Sequence, residues 1–224
     1  MKTTKQTASI VVIVLALLVL VSGNAFSQKQ KIGIKGGVNT SNIITDGIIY
    51  ANHNSKLGFD IFASYDFYNN KYLSLSAETG FNQKGFKYDI EETNKSGNVI
   101  NTTTADVSLN YLDISVNGKF LVRGKSASPY FSLTPTLGVY LGHSQSSSTS
   151  YDSLLTASGN TIFDSLETVA FGVKLGLGIE LYSLIKNVPV IFEIRFNPDI
   201  IDAYNKNSFS FRNTQFEFNA GVKF

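Results

Sequence analysis

The chain has 224 residues, of which 16% are charged and none is cysteine, and its formal net charge is +2. The charge content is well below the ~25% of an average soluble domain. The lack of cysteine excludes disulfides, cysteine metal sites and a lipid-modified cysteine. Lys2 and Lys5 supply the whole positive excess: beyond residue 27, 17 basic residues balance 17 acidic ones. A neutral chain of this kind offers no basic patch for nucleic acid.

Residues 1–27 read as an export signal. Lys2 and Lys5 form a positive start, Ile10 to Val21 is an apolar run of 12 residues, and Ala25-Phe26-Ser27 is a small-x-small cleavage pattern. Cleavage after Ser27 leaves Gln28 as the first mature residue. The alternative is an uncleaved membrane anchor, for which the run falls short of the ~20 residues a spanning helix needs.

From residue 30 the dominant signal is period-two alternation, the mark of β-strands. The first strand lies near Lys31–Asn39. The second places Leu57, Phe59, Ile61, Ala63, Tyr65 and Phe67 on one face and Gly58, Asp60, Ser64 and Asp66 on the other. The third runs near Tyr72–Tyr88 and the fourth near Val107–Val122. In the fourth, Leu112, Ile114, Val116 and Phe120 share a face, but Val107 and Leu109 have the opposite parity. A bulge, or an end rising above a membrane, would account for that. The fifth, near Pro129–His143, carries Pro135, whose missing N–H predicts a second bulge.

The last three strands alternate most clearly. The sixth sets Val169, Phe171, Val173, Leu175, Leu177, Ile179 and Leu181 against Lys174, Glu180 and glycines 172, 176 and 178. Those glycines read as steric room for large interior side chains, or as close approach to a ligand. The seventh sets Val190, Phe192, Ile194 and Phe196 against Glu193 and Arg195. The eighth sets Thr214, Phe216, Phe218, Ala220, Val222 and Phe224 against Gln215, Glu217, Asn219, Gly221 and Lys223.

Sorting charges by face gives Lys31, Lys35, Lys84, Lys119, Lys174, Arg195 and Lys223 with Asp60, Asp66, Glu78, Asp113, Glu180, Glu193 and Glu217, all opposite the apolar side. A charge facing lipid at mid-membrane costs about 2–4 kcal/mol, and the pattern avoids it throughout. Connections near 40–54, 89–104, 144–166 and 198–212 are long, whereas 68–70, 123–128 and 183–188 are short. Short periplasmic turns alternating with longer outer loops are the arrangement of outer-membrane barrels. Phe67, Tyr68, Tyr72, Phe120, Tyr130, Tyr182 and Phe224 gather at the short-turn end as an interfacial girdle. The expectation is an all-β fold: an eight-stranded antiparallel up-and-down transmembrane β-barrel over residues 28–224, in the outer membrane behind its signal peptide. The soluble alternative is a lipocalin-like barrel with the faces reversed.

Several segments resemble the PorT-like outer-membrane β-barrel family of Bacteroidetes. Lys31-Ile-Gly-Ile-Lys-Gly-Gly-Val-Asn-Thr-Ser-Asn42 is similar to its opening strand, and Leu73-Ser-Leu-Ser-Ala-Glu-Thr-Gly-Phe-Asn-Gln-Lys-Gly85 to its third. Asn110-Tyr-Leu-Asp-Ile-Ser-Val-Asn-Gly-Lys-Phe120 resembles its Asn-Tyr-Leu-Glu-Ile-Pro strand, with Ser115 where the family has proline. Pro129-Tyr-Phe and Ala220-Gly-Val-Lys-Phe224 resemble its fifth and closing strands. The resemblance implies a barrel in outer-membrane lipid. Its partners would be a secretion or envelope protein and the barrel assembly machinery, which reads the terminal Phe224. It implies no cofactor.

No residue pattern marks an active site, a cofactor cradle or a metal site. Two alternatives to a non-enzymatic barrel stay open. His143, followed by Ser144 and Ser146, is the one candidate centre for an outer-leaflet lipid-modifying enzyme, because a hydroxyl nucleophile needs an adjacent base. His53 falls in the first long connection. The interior charges could line a small pore, although an eight-stranded lumen is only wide enough for side chains to fill. Asp152-Ser-Leu and Asp164-Ser-Leu resemble Bacteroidetes O-glycosylation sites in a solvated loop.

Overall fold

The computed structural model describes residues 31–46, 53–147, 166–185, 188–206 and 209–224. Residues 1–27, read as an export signal, the Asp152-Ser-Leu motif, and Asp164 and Ser165 of the second motif lie outside these residues. The strands are β1 (Lys31–Asp46), β2 (His53–Asn69), β3 (Leu73–Thr93), β4 (Val99–Leu121), β5 (Ala127–Ser147), β6 (Val169–Ile185), β7 (Val188–Pro198), a short β8 (Tyr204–Lys206) and β9 (Phe209–Lys223). Eight of them, β1 to β7 and β9, pair antiparallel with their neighbours, and β1 pairs with β9 to close the ring. β8 folds back on the outer end of β9, with Tyr204 opposite Phe211. The final backbone amide, Phe224 N–H, donates to Ile32 C=O at 2.8 Å, so the closing seam is bonded to its last residue.

The alternation resolves into an inverted core. Outward-facing Leu57 is 77% exposed and Leu177 67%, whereas inward-facing Lys174 and Arg195 are 0% exposed. Exposed apolar residues continue around the wall through Ile34, Phe59, Ile114, Leu133, Ile194 and Phe218. In water such a surface would forfeit on the order of 25 cal/mol for each Å² left unburied. Lipid removes that cost. The faces are those of a membrane barrel, and the lipocalin-like alternative is set aside.

The periplasmic turns are tight. Asn70 Oδ1 accepts from the amides of Tyr72 and Leu73 at 2.8 and 2.7 Å, an Asx-type turn that reverses β2 into β3. Arg123 from the next turn donates to Asn70 C=O at 3.0 Å and also contacts Asn69.

The outer ends depart from the sequence reading. Residues 89–104 are not a loop: β3 and β4 pair from Leu73↔Phe120 to Thr93↔Val99. A strand crosses the bilayer in ~9–11 residues, so roughly half of this 21-residue β3 ladder projects beyond it. Its tip is closed by Asn94 Oδ1, which accepts from the amides of Ser96 and Asn98 at 3.0 Å, with Gly97 in the left-handed region at φ +81°. His53 is likewise not in a loop but begins β2 opposite Tyr88.

Neither expected bulge lies where the sequence places it. Pro135 faces outward, and the register is the same on both sides of it, Ser115↔Thr136 and Gly118↔Leu133. The shift lies instead between Asn110↔Gly142 and Tyr111↔Tyr140, where Leu141 is the extra residue. The parity of β4 is unbroken. Val107, Leu109 and Tyr111 all point inward and are fully buried. The lumen itself turns apolar at that height.

Candidate functional site: the filled lumen

The interior has three layers. The outer layer is an apolar roof in which Ile43, Phe86, Val107, Leu109, Tyr111, Ala170, Ala203 and Phe211 pack together from β1, β3, β4, β6, β9 and the segment after β7. That segment is tied down as a strap across the mouth. Asp199 N–H donates to Asn213 C=O (2.9 Å), Ile200 N–H to Phe171 C=O (2.7 Å) and Ala203 N–H to Phe211 C=O (2.8 Å). At the periplasmic end Leu121, Tyr130 and Ile191 form a smaller apolar floor. Tyr130 therefore belongs inside and not to the girdle. Tyr182 also turns from the girdle, since its hydroxyl donates to Glu180 at 3.2 Å. Tyr68, Tyr72, Phe120 and Phe224 are exposed where the girdle was expected.

Between roof and floor lies a buried ionic layer. Lys35 from β1 reaches Glu78 at 2.9 Å and Glu193 at 3.1 Å. Arg195 on β7 meets Glu78 on β3, diametrically opposite in the ring, at 2.9 Å, and Glu193 at 2.8 Å. Lys223 bridges Asp66 (2.8 Å) and Glu180 (2.9 Å), and Lys119 meets Glu180 at 3.5 Å. Lys174 bridges Asp113 (3.0 Å) and Glu217 (2.9 Å). Lys84 meets Asp199 at 2.6 Å. A charge in such a medium is stable only when paired and hydrogen-bonded, and thirteen of the expected face charges are buried here, with Lys31 half-buried at the periplasmic edge. Asp199, beyond the last residue read as strand seven, joins them.

Aromatic rings complete the packing. Lys174 lies 4.4 Å from the Phe62 ring centroid, Lys119 4.6 Å from Tyr130 and Lys84 5.2 Å from Tyr111. Cation–π contacts of this kind gain most when desolvated. The β6 glycines serve that packing. A Cβ on Gly178 would meet Tyr130 Oη at 2.5 Å, and one on Gly176 would meet Arg195 Cγ at 3.2 Å. Their sequence signal is steric room.

His143 sits on β5 opposite Leu109, and its Nδ1 is 2.8 Å from Tyr140 Oη. Ser144 and Ser146 follow it and are exposed. His53 packs edge-on against Phe86 at 5.9 Å above the membrane, and burial lowers its imidazole below the usual value. The structure does not bring the two histidines to one place in the ladder. Among the described residues no three His, Cys, Asp or Glu side chains assemble as a metal centre.

An apolar belt around a closed interior that buries the charges defines a transmembrane outer-membrane barrel. The chain belongs to the outer membrane protein beta-barrel domain family, whose model matches residues 26–205. Among solved structures it is similar to the outer membrane protein OprG from Pseudomonas aeruginosa, at 12% identity over 87% of this chain and 95% of that one, with a TM-score of 0.50. It is also similar to the attachment invasion locus protein Ail of Yersinia pestis (13% identity, 88% of this chain, 100% of that one, TM-score 0.42). Neisserial surface protein A, at 15% identity, is covered for 95% of its length against 86% of this chain, with a TM-score of 0.44. At these identities the likeness concerns fold. No curated protein matches the chain.

Proposed function

We propose that this protein is a non-enzymatic outer-membrane barrel, structural or accessory to a secretion or transport machine, delivered by a signal cleaved after Ser27. One observation carries the reading. The lumen is packed from an apolar floor through a buried ionic layer to an apolar roof, so the parts left to act are the outer surfaces. The most prominent of these is the β3–β4 hairpin, whose tip exposes Val99 and Ile100. The finer PorT-like reading rests on the strand motifs described above and fits a barrel that serves a machine by contact. Phe224, 65% exposed at the periplasmic seam, is available to the assembly machinery.

The test is in-cell crosslinking followed by purification of the tagged barrel, with the wild type compared with a chain in which residues 94–98 are shortened. The reading expects a defined envelope partner that is lost with the hairpin tip, and lipid A unchanged by gene deletion. Altered lipid A acylation on deletion, reproduced by His143→Ala, would contradict it in favour of an outer-leaflet enzyme.

A further inference from the structure

Among the described residues the buried charges do not balance. Eight carboxylates (Asp60, Asp66, Glu78, Asp113, Glu180, Glu193, Asp199 and Glu217) share the lumen with six cations (Lys35, Lys84, Lys119, Lys174, Arg195 and Lys223). The ion pairs show where the excess lies. Lys35 and Arg195 balance Glu78 and Glu193, Lys119 and Lys223 balance Asp66 and Glu180, and Lys84 balances Asp199. The remainder is Lys174 alone against Asp113, Glu217 and Asp60, a deficit of two positive charges.

That deficit coincides with unsatisfied oxygens. Asp60 is 2% exposed, and among the described residues its one hydrogen bond is from Asn39 Nδ2 at 3.3 Å, to Oδ2. Asp60 Oδ1, Asn39 Oδ1, Glu217 Oε2 and Asn219 Oδ1 are all buried acceptors without a hydrogen-bond partner. They occupy adjoining register positions on three neighbouring strands. Gly37 on β1 lies between Asp60 and Asn219, and Asn39 lies between Gly58 and Glu217. The charged groups facing Asp60 are Glu217, Lys174 and Lys35. A buried unpaired carboxylate costs several kcal/mol, and four orphaned acceptors add to that cost. A hard cation removes both penalties at once.

We propose that Asp60, Asn39, Glu217 and Asn219 form a buried site for one divalent cation of calcium size, ligated by carboxylate and amide oxygens. Such ions take oxygen ligands in flexible geometry, and a charge of +2 matches the local deficit. Because apolar layers close both ends, the ion enters as the barrel closes during folding.

The test refolds the mature barrel into detergent with calcium chloride or with EDTA, desalts it and measures retained calcium by plasma emission. Folding of every sample is scored by the heat-modifiable shift on gels. The wild type should retain a single ion and unfold at a higher temperature than the sample refolded in EDTA. Asp60→Asn should reduce retention by about tenfold or more, given the loss of a charged ligand. Asn219→Ala, which removes an oxygen without changing charge, should weaken it less, and Asp106→Asn at the rim should leave it unchanged. Wild type without calcium, or calcium unaffected by Asp60→Asn, overturns the proposal. Stability that follows pH and ignores calcium also overturns it and assigns a proton to Asp60.

Discussion

Lys84 on β3 and Asp199, just beyond β7, meet at 2.6 Å from opposite sides of the barrel, and their contact anchors the strap to the far wall. Both side chains are almost fully buried, and Lys84 also lies 5.2 Å from the Tyr111 ring. Breaking a buried pair by removing one partner costs about 3–5 kcal/mol, whereas replacing both by apolar groups is often neutral. Asp199→Ala should therefore destabilise the barrel by about that amount in urea titrations in lipid vesicles. Lys84→Met with Asp199→Leu should recover most of the loss. Equal losses in the single and double variants would show that the strap is held by its backbone bonds alone.

The lipid face makes a depth-dependent prediction. Leu177 lies outward in the middle of β6, and Leu57 lies outward toward the outer end of β2. Leu177→Lys should cost about 2–4 kcal/mol and Leu57→Lys only about 0–1 kcal/mol. The same urea titration reads both, and a larger penalty at position 57 would mean that the membrane level is misplaced.

Gly178 leaves room for the Tyr130 ring and for Phe192 C=O, which a Cβ would approach at 2.8 Å. Overpacking of this kind costs about 1–3 kcal/mol, so Gly178→Ala should lower stability by that amount. Tyr130→Leu should relieve part of the loss in the double variant, because the ring is one of the two obstacles. Strict additivity of the two changes would separate the residues energetically.

The roof should behave as a protein core. Leu109 is 0% exposed inside the outer mouth, and Leu109→Ala should cost about 2–5 kcal/mol. In planar bilayers the wild type should show no unitary conductance. Steady single-channel steps from the wild type would contradict a sealed lumen.

The sequence and structure agree where chemistry alternates sharply. Lys174, Glu180, Glu193, Arg195, Glu217 and Lys223 each sit between apolar neighbours, and each is buried on the inner face. Period two alone identifies the strand, but the neutral, charge-poor composition and the loop lengths were needed to say which face meets lipid. Part of the departure has one cause: the apolar-equals-lipid rule holds only at membrane depth. Above it, Val107 and Leu109 face inward to make the roof. The Thr102-Thr103-Thr104 stretch of β4 has no apolar contrast and reads as loop, although it is paired strand. Asp199 follows a proline in a segment with no alternation, so its role as the partner of Lys84 depends on tertiary closure. Phe62, between Ile61 and Ala63, shares the parity of Asp60 and Ser64 and packs under Lys174 as an apolar ring among the interior charges.

Apolar side chains face lipid and charged ones fill the interior. The chain has no native cysteine, so single cysteines report without background. Leu177→Cys and Phe192→Cys, labelled with bimane and reconstituted in vesicles containing brominated lipid, should be strongly quenched. Thr134→Cys, at a fully buried inner position, should resist labelling in the folded barrel and react only after unfolding. Quenching at 134 with none at 177 and 192 would reverse the faces and contradict the account.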